Sequence, residues 1–309
     1  MNPPIPGLHH VTAISSDPRK LLEFYSGLLG LRLVKKTVNF DDPASYHFYF
    51  GDGLGRPGTI VTFFAWPGAA RGRRGNGQVT SIALSAPPGS LGFWAERLKS
   101  RGVETSGPHR RFEEEWLGLY DFDGLALEIV SGGDAGPGEP WATPDIPVEH
   151  ALRGIAGVVL AEEGFESTGG LLSGDMGFAA AGDEGNRYRF AAGGGGSWVD
   201  VLCMPDGPRG RVACGTVHHV AFRVHDDVAQ ESWRRRLAEL GYNVSPVLDR
   251  QYFHSIYFRE PGGILFELAT DPPGFAVDES PETLGAALKL PPQLESVRAG
   301  IEQSLPRLG

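Results

Sequence analysis

The chain reads as an α+β protein built from four copies of one βαβββ unit. Three observations lead there. A strand-like segment carrying paired histidines occurs twice, as GLHHVTAIS from Gly7 and as TVHHVAFRV from Thr216. Each is followed by a stretch of helical periodicity and then by strand-like segments rich in β-branched and aromatic residues. Two further units with the same order, but without the histidines, lie between them. Each unit spans roughly 50–65 residues, too few to bury one face of its own sheet, so the units are expected to pair side by side.

The first unit, residues 7–70, has its helix from Asp17 to Leu29, where Leu21, Leu22, Phe24, Tyr25, Leu28 and Leu29 share one broad face and Gly30 serves as C-cap. Its remaining strands are LRLVKKTVNF, SYHFYFGD and TIVTFFAWP. The second unit, 77–135, opens with QVTSIALSAP, has a helix from about Ser90 to Arg101 and closes with LALEIVSG. The third, 150–206, opens with LRGIAGVVLA, places its helix from Phe165 to Met176 and closes with SWVDVLCMP. The fourth, 213–272, has a helix from Asp227 to Leu240 and closes with ILFELATDP. A tail, 273–309, carries an outer helix from about Pro292 to Ser304. The basic run RGRRGNG at 71–77 reads as a solvated linker.

Composition removes several function classes. The 309 residues are 41% hydrophobic, enough for a large core. A formal net charge of -10 argues against a nucleic-acid partner, which needs clustered positive charge. No apolar run has membrane-spanning length, and MNPPIPGLHH lacks a signal-peptide pattern, so a cytoplasmic protein without a membrane partner is expected. The two cysteines, Cys203 and Cys214, have no CxxC spacing and are expected to be reduced spectators.

The chemistry-bearing set is His10, His219 and Glu267. Two imidazoles and one carboxylate held on rigid strands make a non-haem Fe(II) site with open coordination positions. Strand alternation puts Leu8, His10 and Thr12 on one face and His9, Val11 and Ala13 on the other. In the fourth unit Val217, His219 and Ala221 share a face opposite Thr216, His218 and Val220. Only one histidine of each pair can then point straight at an ion; the other is a packed residue or a proton-transfer group with a pKa near neutrality.

These units resemble the vicinal-oxygen-chelate superfamily, which includes glyoxalase I, extradiol dioxygenases and bleomycin-resistance proteins, over roughly residues 7–272. The resemblance implies that two units join into a curved, cup-like, eight-stranded sheet around a metal or ligand. Superposing the units assigns the first-strand ligand position to His10, Ser81, Gly154 and His219, and the last-strand position to Thr62, Glu128, Asp200 and Glu267. Pairing unit one with four, and two with three, leaves one live site and one vestigial cup without imidazole. There Glu128 and Asp200 would take packing or surface roles.

The tail is similar to that of one subgroup, the hydroquinone-type ring-cleaving dioxygenases. That subgroup has an Arg, a Tyr and a ligand Glu at spacings matching Arg250, Tyr257 and Glu267, and the resemblance implies roles beside the metal for His9, Thr12 and His218. If Pro261, Gly262 and Gly263 form a three-residue turn, Tyr257 sits opposite Glu267. The alternatives are a strand-packing tyrosine and a surface ion pair between Arg250 and Asp249 or a nearby acid. His254, on the opposite face from Tyr257, is taken as structural.

The resemblance thus implies an enzyme using Fe(II), with Mn(II) as the alternative ion, that opens a small aromatic diol with O2. Glyoxalase-like enzymes use four protein ligands, with a carboxylate where Thr62 stands, which places an isomerase or lyase second. A non-catalytic protein sequestering a drug or quinone is the third reading. A homodimer is compatible with the exposed tail helix.

Overall fold

A computed structural model describes residues 2–132, 138–193 and 196–308. Among these, two eight-stranded sheets account for all sixteen strands. The first sheet takes β1 (Leu8–Ser15), β2 (Arg32–Asn39), β3 (Asp42–Gly51) and β4 (Ile60–Ala65) from the start of the chain. From its end come β13 (Thr216–Val224), β14 (Leu248–Asp249), β15 (Phe253–Arg259) and β16 (Leu265–Pro273). The second sheet takes β5 (Gln78–Ala86), β6 (Thr105–Arg111), β7 (Glu114–Tyr120), β8 (Ala126–Ser131), β9 (Gly154–Glu162), β10 (Ala179–Glu184), β11 (Arg187–Ala191) and β12 (Trp198–Cys203).

The strand orders are β14-β15-β16-β13-β1-β4-β3-β2 and β10-β11-β12-β9-β5-β8-β7-β6. Each sheet is therefore two βαβββ units joined back to back through their first strands, β1 with β13 and β5 with β9. Unit one pairs with unit four, and unit two with unit three. This is the α+β architecture the sequence predicts.

The helices follow their sequence signals. Asp17 caps α1 (Pro18–Leu21) by accepting from the amides of Arg19 and Lys20, and Pro18 occupies its first turn. The helix continues to Leu28 with π spacing, and Gly30 follows at φ +71°, the left-handed conformation that favours glycine. α2 (Leu91–Ser100), α3 (Glu166–Gly170, continued as a π segment to Asp175) and α4 (Asp227–Glu239) lie where periodicity places them. Trp94 of α2 and Trp233 of α4 are fully buried, and truncating either to alanine would cost about 3–5 kcal/mol. The tail is less regular than expected: a 3-10 stretch over Pro292–Val297 leads into a short α5 (Arg298–Ser304). No helix among the described residues is long and apolar enough to cross a membrane.

Three sequence expectations need correction. The 71–77 segment is not a free linker, since it pairs with the other inter-sheet crossing through Arg71–Cys214, Arg73–Arg211 and Asn76–Arg209 bridges. Strand alternation also fails at one point in each histidine pair. β1 registers Leu8 with Phe222 and His10 with Ala221, so His9 is an extra residue, a β-bulge. β13 registers His219 with Thr12 and Val217 with Ala13, which makes His218 the matching bulge. Leu8 and Val217 consequently join the main core with Val11, Ala13 and Val220, away from the ligand histidines.

The third correction concerns unit three. Val159 pairs with Asp200 as Ala221 pairs with Glu267, so the residue matching His219 is Gly157, not Gly154. A side chain there would collide with Trp198, whose ring lies 2.1 Å from an ideal Cβ. The alignment slipped because both positions are glycines in the run GIAG.

Candidate metal centre

The first cup brings three distant side chains to one point. His10 on β1 and His219 on β13 approach each other to 3.4 Å through their Nε2 atoms. Glu267 Oε2 on β16 lies 2.8 Å from His219 Nε2 and 3.4 Å from His10 Nε2. All three side chains are buried. Donors about 2.1 Å from an ion in cis positions stand about 3 Å apart, so these separations match one face of a coordination shell. Glu267 Oε2 is buried without a hydrogen bond despite the close imidazoles, and such an orphaned carboxylate oxygen is what an ion would satisfy. Among the described residues this is the one such cluster of three His, Cys, Asp or Glu side chains. The donor set fits a divalent transition metal.

The bulges orient these ligands. His9 Nδ1 meets His10 Nδ1 at 2.9 Å, and His218 Nδ1 meets His219 Nδ1 at 2.8 Å. With each ligand ring donating its Nδ1–H to the neighbour, its Nε2 lone pair is left for the ion. This requires the neighbours to be neutral. Burial, then the adjacent His10, holds His9 well below the ordinary imidazole range; burial, then His219, lowers His218 to about 3. Both shifts run below the expected value near neutrality and favour neutral rings, whose Nδ1 can accept from the ligand imidazoles. Burial would raise Glu267, but His10 and His219 outweigh it and hold the carboxylate well below its usual range.

A cavity of about 450 Å³ opens above the triad. His10, Thr12, His218, His219, Arg250 and Tyr257 all line it, together with Phe64, Trp66 and Leu265. His9 does not; it lies behind His10 against Phe253. Tyr257 registers directly opposite Glu267, as the three-residue turn Pro261–Gly263 dictates. Its ring meets His219 edge-on, and burial, then Glu267, raises its hydroxyl pKa. The Arg250 guanidinium lies over the Tyr257 ring, 5.6 Å from its centre. Its acid partner is Asp41 at 3.2 Å rather than Asp249, so it reaches across the cavity mouth. His254 faces away and pairs with Asp227 at 2.6 Å.

Sequence reasoning missed four residues. His47 lines the cavity, hydrogen-bonds the Thr62 hydroxyl through Nε2 and accepts from the Tyr49 hydroxyl at 3.0 Å through Nδ1. Ser255 donates to Glu267 Oε1, and Phe253 packs on His10. The repeat held the signal. Tyr49 pairs with Thr62 as Tyr257 pairs with Glu267, so two residues earlier His47 occupies the place of Ser255. Alternation along SYHFYFGD would have placed His47 and Tyr49 on the cavity face.

The second cup replaces metal chemistry with arginine. Glu128 and Asp200 are buried, contrary to a surface role. Arg111 contacts Glu128, while Arg189 and Arg187 hold Asp200 at 2.7 and 3.0 Å.

Comparison with known proteins agrees with this geometry. The family model described as Glyoxalase/Bleomycin resistance protein/Dioxygenase superfamily matches residues 7–129 and 157–268. The chain belongs to that superfamily. Within this glyoxalase/dioxygenase superfamily it is 48% identical over 300 residues, 97% of this chain and 95% of the relative, to MhqO of Bacillus subtilis (strain 168), which carries the name of a ring-cleaving dioxygenase. It is 38% identical over 302 residues, 95% of this chain and 94% of the relative, to the chlorohydroquinone/hydroquinone 1,2-dioxygenase of Sphingobium indicum (strain DSM 16413 / UT26S). A crystal structure from Bacillus subtilis subsp. subtilis str. 168, described as a dioxygenase, superposes with a TM-score of 0.95 at 45% identity, covering 99% of this chain and 98% of that one. Glyoxalase I from Zea mays shares the fold, with a TM-score of 0.65 at 16% identity over 86% of this chain and 92% of that one.

Proposed function

We propose that this chain is a cytoplasmic, Fe(II)-dependent dioxygenase that opens the ring of a small hydroxylated aromatic of the hydroquinone type. The observation that carries the reading is the convergence of His10, His219 and Glu267 on one point, with Thr62 at the matching last-strand position, beside a cavity lined by aromatic side chains. The names of the 48% and 38% identical relatives support the same reaction class. The free cysteines suit a reducing compartment.

His10, His219 and Glu267 would hold the ion. If bound there, Fe(II) would supply redox-active Lewis-acid chemistry for a diol and O2. The remaining residues bind, orient and exclude water. Phe64 and Trp66, stacked at 5.4 Å, give a flat ring an apolar wall. Tyr257, kept protonated, offers an O–H to a substrate oxygen, and Arg250 beside it neutralises an anionic one by a charge-assisted hydrogen bond. His218 has Nδ1 engaged by His219, which leaves its Nε2–H for a bound ligand. Thr12 adds a hydroxyl beside Thr62 at 3.4 Å. Mn(II) suits the same three donors.

The test loads anaerobically purified protein with Fe(II) or Mn(II) and follows O2 with an electrode on adding hydroquinone or catechol. The expected result is one O2 consumed per hydroquinone by the iron form. Absence of uptake with both diols and both metals would overturn the assignment, and substrate loss without O2 would move it to an isomerase.

A further inference from the structure

We propose that the second cup is a binding site for a small amphipathic monoanion, a ring bearing one carboxylate. The proposal goes beyond the reaction assigned to the first cup and does not depend on it. The second cup retains a cavity of about 390 Å³ between β5, β7, β8 and β12. Leu119, Leu127, Val159 and Leu202 give it apolar walls. Its polar lining includes two unpartnered groups that can donate. Ser81, about nine-tenths buried, has no partner for its Oγ, and the buried Trp116 Nε1–H has none either. Both residues line the cavity.

Charge points the same way. Glu128 is the one acid on the lining among the described residues, and Arg111 pairs with it. Two guanidiniums line the same space. Arg187 is anchored by Asp200, a carboxylate that Arg189 also holds through two hydrogen bonds. Arg74 at the exposed rim has only Tyr120, by a 3.3 Å hydrogen bond to its hydroxyl and by stacking 4.8 Å over its ring. Arg111, Arg187 and Arg189 are balanced by Glu114, Glu128 and Asp200, so Arg74 is the one cation on the lining without an acid partner among the described residues. With two unpartnered donors beside it, the site asks for an acceptor carrying one negative charge. The apolar walls ask that the rest of it be a hydrocarbon ring. The buried arginines Arg111 and Arg189 already neutralise Glu128 and Asp200, the acids at the two last-strand positions, so the site needs no metal.

Isothermal titration of the metal-loaded protein with sodium 4-hydroxybenzoate tests this. The expected result is one binding event that survives His219→Ala, weakens at least about tenfold in Arg74→Gln and disappears in Ser81→Trp, which fills the cavity. Benzyl alcohol, which lacks the charge, should bind at least about tenfold more weakly than the acid. Arg74 is exposed, so its variant folds whether or not Ser81→Trp does. Heat that vanishes with His219→Ala but persists in Arg74→Gln would place the ligand in the first cup and overturn the proposal. No heat up to about 5 mM would overturn it as well.

Discussion

The ring of His47 hydrogen-bonds the Thr62 hydroxyl at the place where, across the local two-fold of the first sheet, Ser255 hydrogen-bonds Glu267. Unit one therefore keeps the support for a last-strand ligand while replacing the ligand itself with a short neutral side chain. A carboxylate at Thr62 would close the shell to four protein donors. Thr62→Glu is expected to retain metal but to lower O2 uptake with hydroquinone at least about 100-fold. Wild-type uptake by a fully metal-loaded Thr62→Glu protein would show that the vacancy is not required.

The two bulged histidines make the same Nδ1 contact but differ in what lies beyond it. His9 is sealed behind His10, whereas His218 faces the cavity. His9→Ala should weaken metal binding about 10–100-fold while turnover per bound ion stays within about threefold. His218→Ala should also lower turnover per bound ion, by about 100-fold. Metal titration with kinetics normalised to metal content separates the two effects. Equal losses of turnover per ion in both variants would contradict this division.

Much of this was legible in the chain. The βαβββ repeat and the recurring imidazole follow from periodicity and register, while the pairing of outer and inner units and the convergence of His10, His219 and Glu267 came from what the superfamily resemblance implies. The bulges were not legible. A bulge shifts the alternation by one residue, so an unbroken period of two placed Leu8 and Val217 on the wrong face, although the His-His doublet between core residues marks the shift. Gly154 was mistaken for Gly157 because glycine carries no facing preference, and only the Trp198 ring filling the space identifies the right one. His47 was readable and missed: its cross-strand neighbourhood with Thr62 needed the strand register, which the repeat supplies.

A buried acid pair gives a pH signature separate from the metal. The Thr168 hydroxyl lies 2.7 Å from Glu162 Oε2 and 2.6 Å from Glu260 Oε2, and it has one proton to share. Glu260 also accepts from the amides of Gly262 and Ile264. Burial, with the Glu260 charge adding, raises Glu162 to about 8. An unfolded glutamate titrates near about 4.3, so between these values the folded state holds the extra proton. The stability is fully present at low pH and falls as pH rises towards 8. Glu162→Gln should raise Tm at pH 8 by at least about 2 °C relative to wild type and leave it nearly unchanged at pH 5. A pH-independent difference between the two melting curves would count against a protonated Glu162.

The most direct measurement is anomalous diffraction at the iron edge from crystals grown anaerobically with Fe(II). The account predicts one peak, about 2.1 Å from His10 Nε2, His219 Nε2 and Glu267 Oε2, with no fourth side chain bound and no peak in the second cup. A peak in the second cup, or an iron whose shell is closed by His47 or another side chain, would contradict it.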